Sequence, residues 1–323
     1  MDNNGNKLFE TPILFLIFNR PDTTRQVFER IKQIKPRFFY VACDGPRSNK
    51  AGESEIVKAT REWVINNITW DCEYKTLFRE VNLGCGRAVS SSIDWFFQNV
   101  EMGIILEDDC LPDLSFFAYC HELLIRFKED QRISSICAPN MLGDLFTSSY
   151  SYSFSNYCLV WGWATWRRAW LQYDFKLSNW PEIKKTDFLK KINNTLLFKI
   201  YWNYIFDLCY SGKINTWDYQ WIYASWQQRG LSIIPSVNLI RNIGIGNNST
   251  HHVDDYFSKF SEQQLLFPLI HPAKIQKTIN LDFLLTEKIF TTTKLNYLKI
   301  VLMKFRIFKV IKKIYLARNI NLL

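Results

Sequence analysis

Glu107, Asp108 and Asp109 follow directly on the apolar run GIIL, so three carboxylates stand in a row where a buried strand gives out. Crowding three acids is costly unless a cation or a hydrogen-bonding ligand offsets the repulsion. A divalent ion does this best. Hard oxygen ligands select Mg2+ or Mn2+, commonly held by one or two carboxylates together with substrate phosphates and water. The ordinary alternative for such a triplet is a solvated turn or the start of a helix. The glycine-containing GCGR at Gly84 to Arg87 lacks the spacing of a dinucleotide fingerprint or a P-loop, and is read as neither.

The elements that must position the triplet are legible from hydrophobic pattern. PILFLIF, from Pro12 to Phe18, is a continuous apolar run that stops at Asn19, Arg20 and Pro21; DTTRQVFERIKQI then carries apolar residues at helical spacing. A second such unit follows. RFFYVACDGPR, from Arg37 to Arg47, reads as a strand ending in Cys43, Asp44 and Gly45, with a helix from Glu53 to Asn67. Two strand-helix units in tandem imply a parallel sheet. Tyr74 to Phe78 is a third strand, Asn82 to Arg87 a turn, Ala88 to Gln98 a helix, and Gly103 to Cys110 the next strand. Ligands of open α/β sheets bind outside the carboxyl ends of the strands, so Arg20, Asp44 and the acidic triplet are expected along one edge. Beyond it come a helix from Ser115 to Asp130, a strand from Ile133 to Ala138, helices at Tyr201 to Tyr210 and Tyr219 to Gln228, and extended chain from Leu231 to Ile240 interrupted by Pro235. Periodicity does not settle the aromatic stretch from Tyr150 to Trp170. One domain is expected over residues 1–270, followed by an extension over 271–323.

Composition bounds the class. With 323 residues, 47% of them hydrophobic and 22% charged, the chain can bury a substantial core, and 16% aromatic content means that much of that core is ring packing. The eight cysteines show no CxxC pair and no nearby histidines to complete a zinc site, so they read as reduced, mostly buried thiols. MDNNGNKLFETP is polar and has no apolar segment after a basic start, so neither a signal peptide nor an N-terminal anchor is expected, which points to the cytoplasm. Eight basic residues and no acidic one lie between Lys294 and Leu323, and they account for nearly all of the formal charge of +9. A nucleic-acid-binding protein more often spreads its basic residues over the folded domain, so no nucleic acid is expected as a partner. In NYLKIVLMKFRIFKVIKKIYLA, from Asn296 to Ala317, basic residues recur every three to five positions without an uncharged run long enough to span a bilayer. Such a helix can lie on an anionic membrane surface, each basic residue there being worth on the order of 1 kcal/mol. The alternative is a helix packed on the domain or on a partner subunit.

In ILEDDC (Ile105 to Cys110), FNRP (Phe18 to Pro21), ACDGPR (Ala42 to Arg47) and TWDYQW (Thr216 to Trp221), taken in order over about residues 11 to 255, the chain resembles the nucleotide-diphospho-sugar transferases of the glycosyltransferase-A fold. The resemblance is greatest to the branch containing N-acetylglucosaminyltransferase I. It implies that Asp109 binds the metal bridging the donor diphosphate, and that Asp108 and Glu107 contact the donor ribose and sugar hydroxyls. It places Arg20 and Asp44 near the nucleotide base and ribose, with Arg87 contacting phosphate. The plain alternatives are a helix cap or surface pair for Arg20 and an Asp-Gly turn for Asp44.

Inverting sugar transfer, also implied by the resemblance, needs a general base for the acceptor hydroxyl. Asp218, an aspartate between tryptophans as in the similar enzymes, is assigned that role; its alternative is the N-cap of a helix starting at Tyr219. Many enzymes of this fold donate a third metal ligand from a late histidine, which makes His251 or His252 in RNIGIGNNSTHH a candidate, although the most similar branch does not depend on one. WGWATW, from Trp161 to Trp166, is either a core plug or a wall of the acceptor site.

The expectation is therefore an α/β, glycosyltransferase-A type fold: a mixed, mainly parallel sheet flanked by helices, with a C-terminal basic helical tail. Its expected function is inverting, Mn2+- or Mg2+-dependent transfer of a sugar from a nucleotide-sugar donor to a carbohydrate or lipid-linked glycan acceptor in bacterial surface polysaccharide or lipopolysaccharide synthesis. The expected setting is the inner face of the cell membrane. The rivals are a metal-dependent nucleotidyl or sugar-phosphate transferase, and a non-catalytic carbohydrate-binding protein of the membrane surface.

Overall fold

In a computed structural model, residues 8–244 and 259–290 are described. The chain opens with β1 (Ile13–Ile17), buried at every position, as a strand covered on both faces must be. Pro21 then starts α1 (Pro21–Ile34), which buries Thr24, Val27, Phe28 and Ile31 on one face and stops at Lys35 in a left-handed conformation. The pattern repeats as β2 (Phe38–Cys43), α2 (Glu53–Asn66), β3 (Glu73–Phe78), α3 (Cys85–Asn99) and β4 (Met102–Glu107). After these come β5 (Cys110–Pro112), α4 (Ser115–Arg126), β6 (Ile133–Cys137), β7 (Tyr152–Ser155), β8 (Trp163–Trp166) and α5 (Arg167–Trp170). The chain continues through α6 (Trp180–Ile183), α7 (Phe188–Ile192), α8 (Leu196–Tyr210), α9 (Asp218–Gln227), β9 (Leu231–Pro235) and β10 (Ile240–Asn242).

Eight strands form one sheet in the order β3-β2-β1-β4-β8-β6-β9-β7, and β10 pairs with β5 in a small antiparallel ribbon. Within the large sheet β3, β2, β1 and β4 are mutually parallel, β8 runs against β4 and β6, β6 and β9 are parallel, and β7 opposes β9. This is the mixed, mainly parallel sheet flanked by helices that the sequence predicts, and it is consistent with a glycosyltransferase-A type fold.

The described residues fall into two compact units. The first takes in the chain up to Phe175 and returns from Asn215 to Asp282, so it contains all ten strands; the second is Lys176–Ile214 together with the chain from Phe283. The basic tail expected from Lys294 onward lies outside the described residues.

Three local outcomes differ from the pattern reading. The strand expected to run to Cys110 ends at Glu107, because Asp108 and Asp109 form a turn before β5. The stretch without clear periodicity contains β7 and β8, both antiparallel to neighbours. In β8, Trp163 and Trp166 are buried, which makes them part of the core, while Trp161 stays partly exposed.

Register aligns the strand ends. Ile17 pairs with Cys43 and Leu16 with Glu107, so the residues that follow β1, β2 and β4 emerge side by side at one edge. Glu53, the first residue of α2, ties two of those exits together. It accepts from Asn19 Nδ2 at 2.8 Å, from the Arg47 backbone N–H at 2.7 Å and from Arg47 Nε at 3.0 Å on both oxygens, while the Arg47 guanidinium lies 5.6 Å from the centre of the Phe18 ring. The FNRP and ACDGPR segments are thus held by one carboxylate. The Arg47 guanidinium beside Glu53 holds its carboxyl below the ordinary value of 4.5. A depressed folded-state pKa stabilises fully above the unfolded value and is lost as pH falls through the folded one. Glu53→Gln should therefore cost roughly 1–2 kcal/mol in denaturant unfolding at pH 7. The gap from wild type should narrow as pH drops below that value; a cost that is absent at pH 7, or equally large at acid pH, contradicts the clamp.

Candidate active site

β4 lies between β1 and β8, and delivers its carboxylates to the aligned edge. Asp108 is buried, and its Oδ2 accepts the Phe18 backbone N–H at 3.0 Å, which ties the end of β4 to the exit of β1. Asp109 stands beside Arg20, with Nη1 donating to Oδ2 at 2.5 Å. Burial pushes the Glu107 carboxyl well above the usual carboxylate range, and the charges of Asp109, Asp108 and Asp218 push it further. Asp108 is raised in the same way, by burial and then by Asp109, with Arg20 and the Phe18 hydrogen bond pulling it back. Several carboxylates therefore converge on a region where Arg20 is the countercharge that acts on both.

Asp218 reaches this region from the far end of the first unit. It is the first residue of α9, with Trp217 in the capping position, so the structure does not make it the N-cap of a helix starting at Tyr219. Its Oδ1 is hydrogen-bonded by Thr216 Oγ1 and by the Tyr219 backbone N–H at 2.9 Å. The tryptophans flanking it, Trp217 and Trp221, are buried and pack around Trp163 with ring centres 5.7 and 5.5 Å away. They brace the base of α9 and form no open platform.

The glycines of GCGR make the convergence possible. Gly84 has φ +76°, and a Cβ there would meet Asn215 Nδ2 at 2.6 Å. The Gly86 N–H donates to Asn215 Oδ1 at 2.9 Å, and a Cβ on Gly86 would meet the Thr216 carbonyl oxygen at 2.7 Å. Only backbone fits where the start of α3 meets the start of α9. Cys85, at the start of α3, lies at the surface, and its thiol is pushed up by the protein around it and by the charges of Glu107, Asp218, Asp109 and Asp44.

Asp44 is occupied by backbone. Its Oδ1 accepts from Gly45 and Leu83, and its Oδ2 from Leu83 and Gly84, each at 3.0 Å. A carboxylate offers about four lone-pair sites, so those of Asp44 are taken up in holding the loop before α3. The Asp-Gly turn alternative thus extends to a tie between β2 and α3. Arg87 is exposed, with its guanidinium 4.6 Å from the centre of the Phe175 ring.

Pattern reading misses Glu53, Asn215 and Gly244. The last lies where β10 leads the chain onto the acidic turn: the Ile243 N–H donates to the Asp109 carbonyl oxygen at 2.8 Å, and a Cβ on Gly244 would come 2.4 Å from Asp109 Oδ2 and 2.8 Å from Arg20 Nη1. The glycines in RNIGIG were a signal, but nothing in the sequence tied them to Asp109. His251 and His252 lie outside the described residues.

Among the described residues, no group of three His, Cys, Asp or Glu side chains forms a metal-holding cluster. The chemistry of the donor set still fits a hard divalent cation, since oxygen ligands and excess negative charge are both present and such ions take substrate phosphates and water as their remaining ligands. Asp109 is half-buried on the turn and paired with Arg20.

No protein-family model matches the chain, and no curated protein matches it in sequence. Among solved structures it is similar to a cytidylyltransferase from Leptospira borgpetersenii serovar Hardjo-bovis, at 11% sequence identity and a TM-score of 0.32, over 52% of this chain and 64% of that one. The match thus spans less than two thirds of that structure's length.

Proposed function

We propose that the chain is a metal-dependent glycosyltransferase that moves a sugar from a nucleotide-diphosphate donor to a carbohydrate or lipid-linked glycan acceptor, with inversion, in the synthesis of a bacterial surface polysaccharide or lipopolysaccharide. The observation that carries it is that Glu107 is close enough to Asp109, Asp108 and Asp218 to feel the charge of each, while Arg20 pairs with Asp109. Acids brought from β4 and from α9 answer two separate needs of sugar transfer: a countercharge system for a diphosphate and a base for a hydroxyl.

In this reading Asp109, with the donor's phosphates, holds Mg2+ or Mn2+, which when bound offsets the negative charge of the departing nucleoside diphosphate. His251 or His252 is the protein ligand that could complete the set, since the chain enters their segment from Gly244 beside Asp109. Arg20, displaced from Asp109, turns to the donor phosphates, a geometry guanidinium groups favour. Glu107 and Asp108 accept from donor hydroxyls, and Arg87 meets the nucleotide from the exposed first turn of α3. Asp44 acts on the nucleotide side through the loop it ties. Asp218 takes the proton of the acceptor hydroxyl; its bonds from Thr216 and Tyr219 fix one oxygen and leave the other to the acceptor.

The basic residues from Lys294 onward are proposed to hold the enzyme at an anionic membrane surface on the cytoplasmic side, where lipid-linked acceptors are found. No helix among the described residues is long and apolar enough to cross a membrane. Full-length protein should co-sediment with vesicles containing anionic lipid and be released by salt; indifference to lipid charge contradicts this.

The transfer itself is tested by turnover of nucleotide sugars with product analysis. Asp218→Asn should lower kcat by about 10²- to 10⁴-fold, with donor binding unchanged. The product released should be a nucleoside diphosphate. Full activity in the variant removes Asp218 from the base role, and pyrophosphate as product overturns glycosyl transfer in favour of nucleotidyl transfer.

A further inference from the structure

The second unit carries a cleft of its own, lined by none of the residues assigned above. It is an open cleft formed where α6, α7 and α8 meet. Trp180 and Leu189, both buried, contribute to an apolar floor, and Lys184, Lys190 and Lys199 line it with Asp187 as the one acid among the described residues. The charges are not balanced. Lys184 Nζ is held by both oxygens of Asp207 at 2.7 Å, and Trp180 Nε1 donates to the same carboxylate at 3.0 Å, so this pair is a fixed strut. Lys190 reaches Asp187 at 3.4 Å in an exposed contact between residues three apart, which contributes little and breaks easily. Lys199, in the first turns of α8, has no ion-pair partner among the described residues.

We propose that this cleft binds a phosphoryl group. Two ammonium groups, on Lys199 and Lys190, can close on one anion, and the Lys190 contact with Asp187 is weak enough to be given up for it. Among the described residues the cleft has no arginine in its lining, and lysines act as mobile point charges suited to a many-oxygen anion, where planar carboxylate recognition favours the arginine fork. The apolar floor suits an anion that carries a hydrocarbon or a sugar ring, as a lipid-borne diphosphate does and free phosphate does not. The site stands on the second unit alone and goes beyond the function proposed for the acidic edge.

The test is calorimetric titration of the full chain in EDTA, which silences a cation-dependent site, with two probes: inorganic pyrophosphate and farnesyl diphosphate below its micelle concentration. Lys199→Glu should weaken binding by about tenfold or more, as loss of a charged contact does. Lys213→Glu, which changes charge equally in the same unit but outside the cleft, should leave it unchanged. Lys199→Gln provides the same reading without charge reversal. Farnesyl diphosphate binding tighter than pyrophosphate assigns the site to a lipid-borne diphosphate, and equal binding assigns it to the free anion. Loss of the same size in Lys199→Glu and Lys213→Glu, or no loss in either Lys199 variant, overturns the proposal.

Discussion

The structure of the first unit turns on the repulsion among carboxylates at the end of β4. Three acids in sequence cannot stay in a strand buried on both faces, and the chain turns at Asp108 and Asp109 as soon as the apolar run ends. That turn is then secured from several sides at once. The Phe18 N–H holds Asp108, the Ile243 N–H holds the Asp109 backbone, and Arg20 holds the Asp109 carboxylate. Even so, burial and mutual charge raise Glu107 and Asp108, an unfavourable arrangement that the proposed cation would relieve.

The surrounding fold supplies precision. Parallel pairing of β1 with β2 and β4 sets the three strand ends level, Glu53 clamps the first two exits, and Asp44 ties the second to the start of α3. Side-chain-free backbone at Gly84 and Gly86 then lets Asn215 and Thr216 approach, and Asp218 comes with them. Each step uses rigid elements and short loops, the usual way of holding reacting groups to within a fraction of an ångström. The candidate site, spanning residues 20 to 218, is built this way from contacts between segments distant in sequence.

Much of this was legible before any coordinates. The apolar runs ending in Arg20, Asp44 and the acidic triplet predicted both the parallel half of the sheet and the edge where those residues gather, because a buried strand must stop where charge begins. The strands β7 and β8 were not legible: they are short and rich in buried serine and tryptophan, so neither alternation nor length betrayed them. Nor could the pattern show that Asp44 spends its oxygens on backbone, or that Gly244 presses on Asp109, since both depend on contacts across long sequence separations. TWDYQW singles out Asp218, while the burial of its tryptophans in the core shows only in the structure.

The most direct measurement is electron paramagnetic resonance of Mn2+ titrated with the protein, with and without a nucleoside diphosphate, on wild type and Asp109→Asn. The account predicts that the free Mn2+ signal falls when wild type and nucleoside diphosphate are present together, beyond what the nucleotide causes by itself, and that Asp109→Asn removes this extra loss. An identical signal with folded wild type and with the variant, for every nucleoside diphosphate tried, would contradict the claim that this carboxylate edge is a cation and diphosphate site.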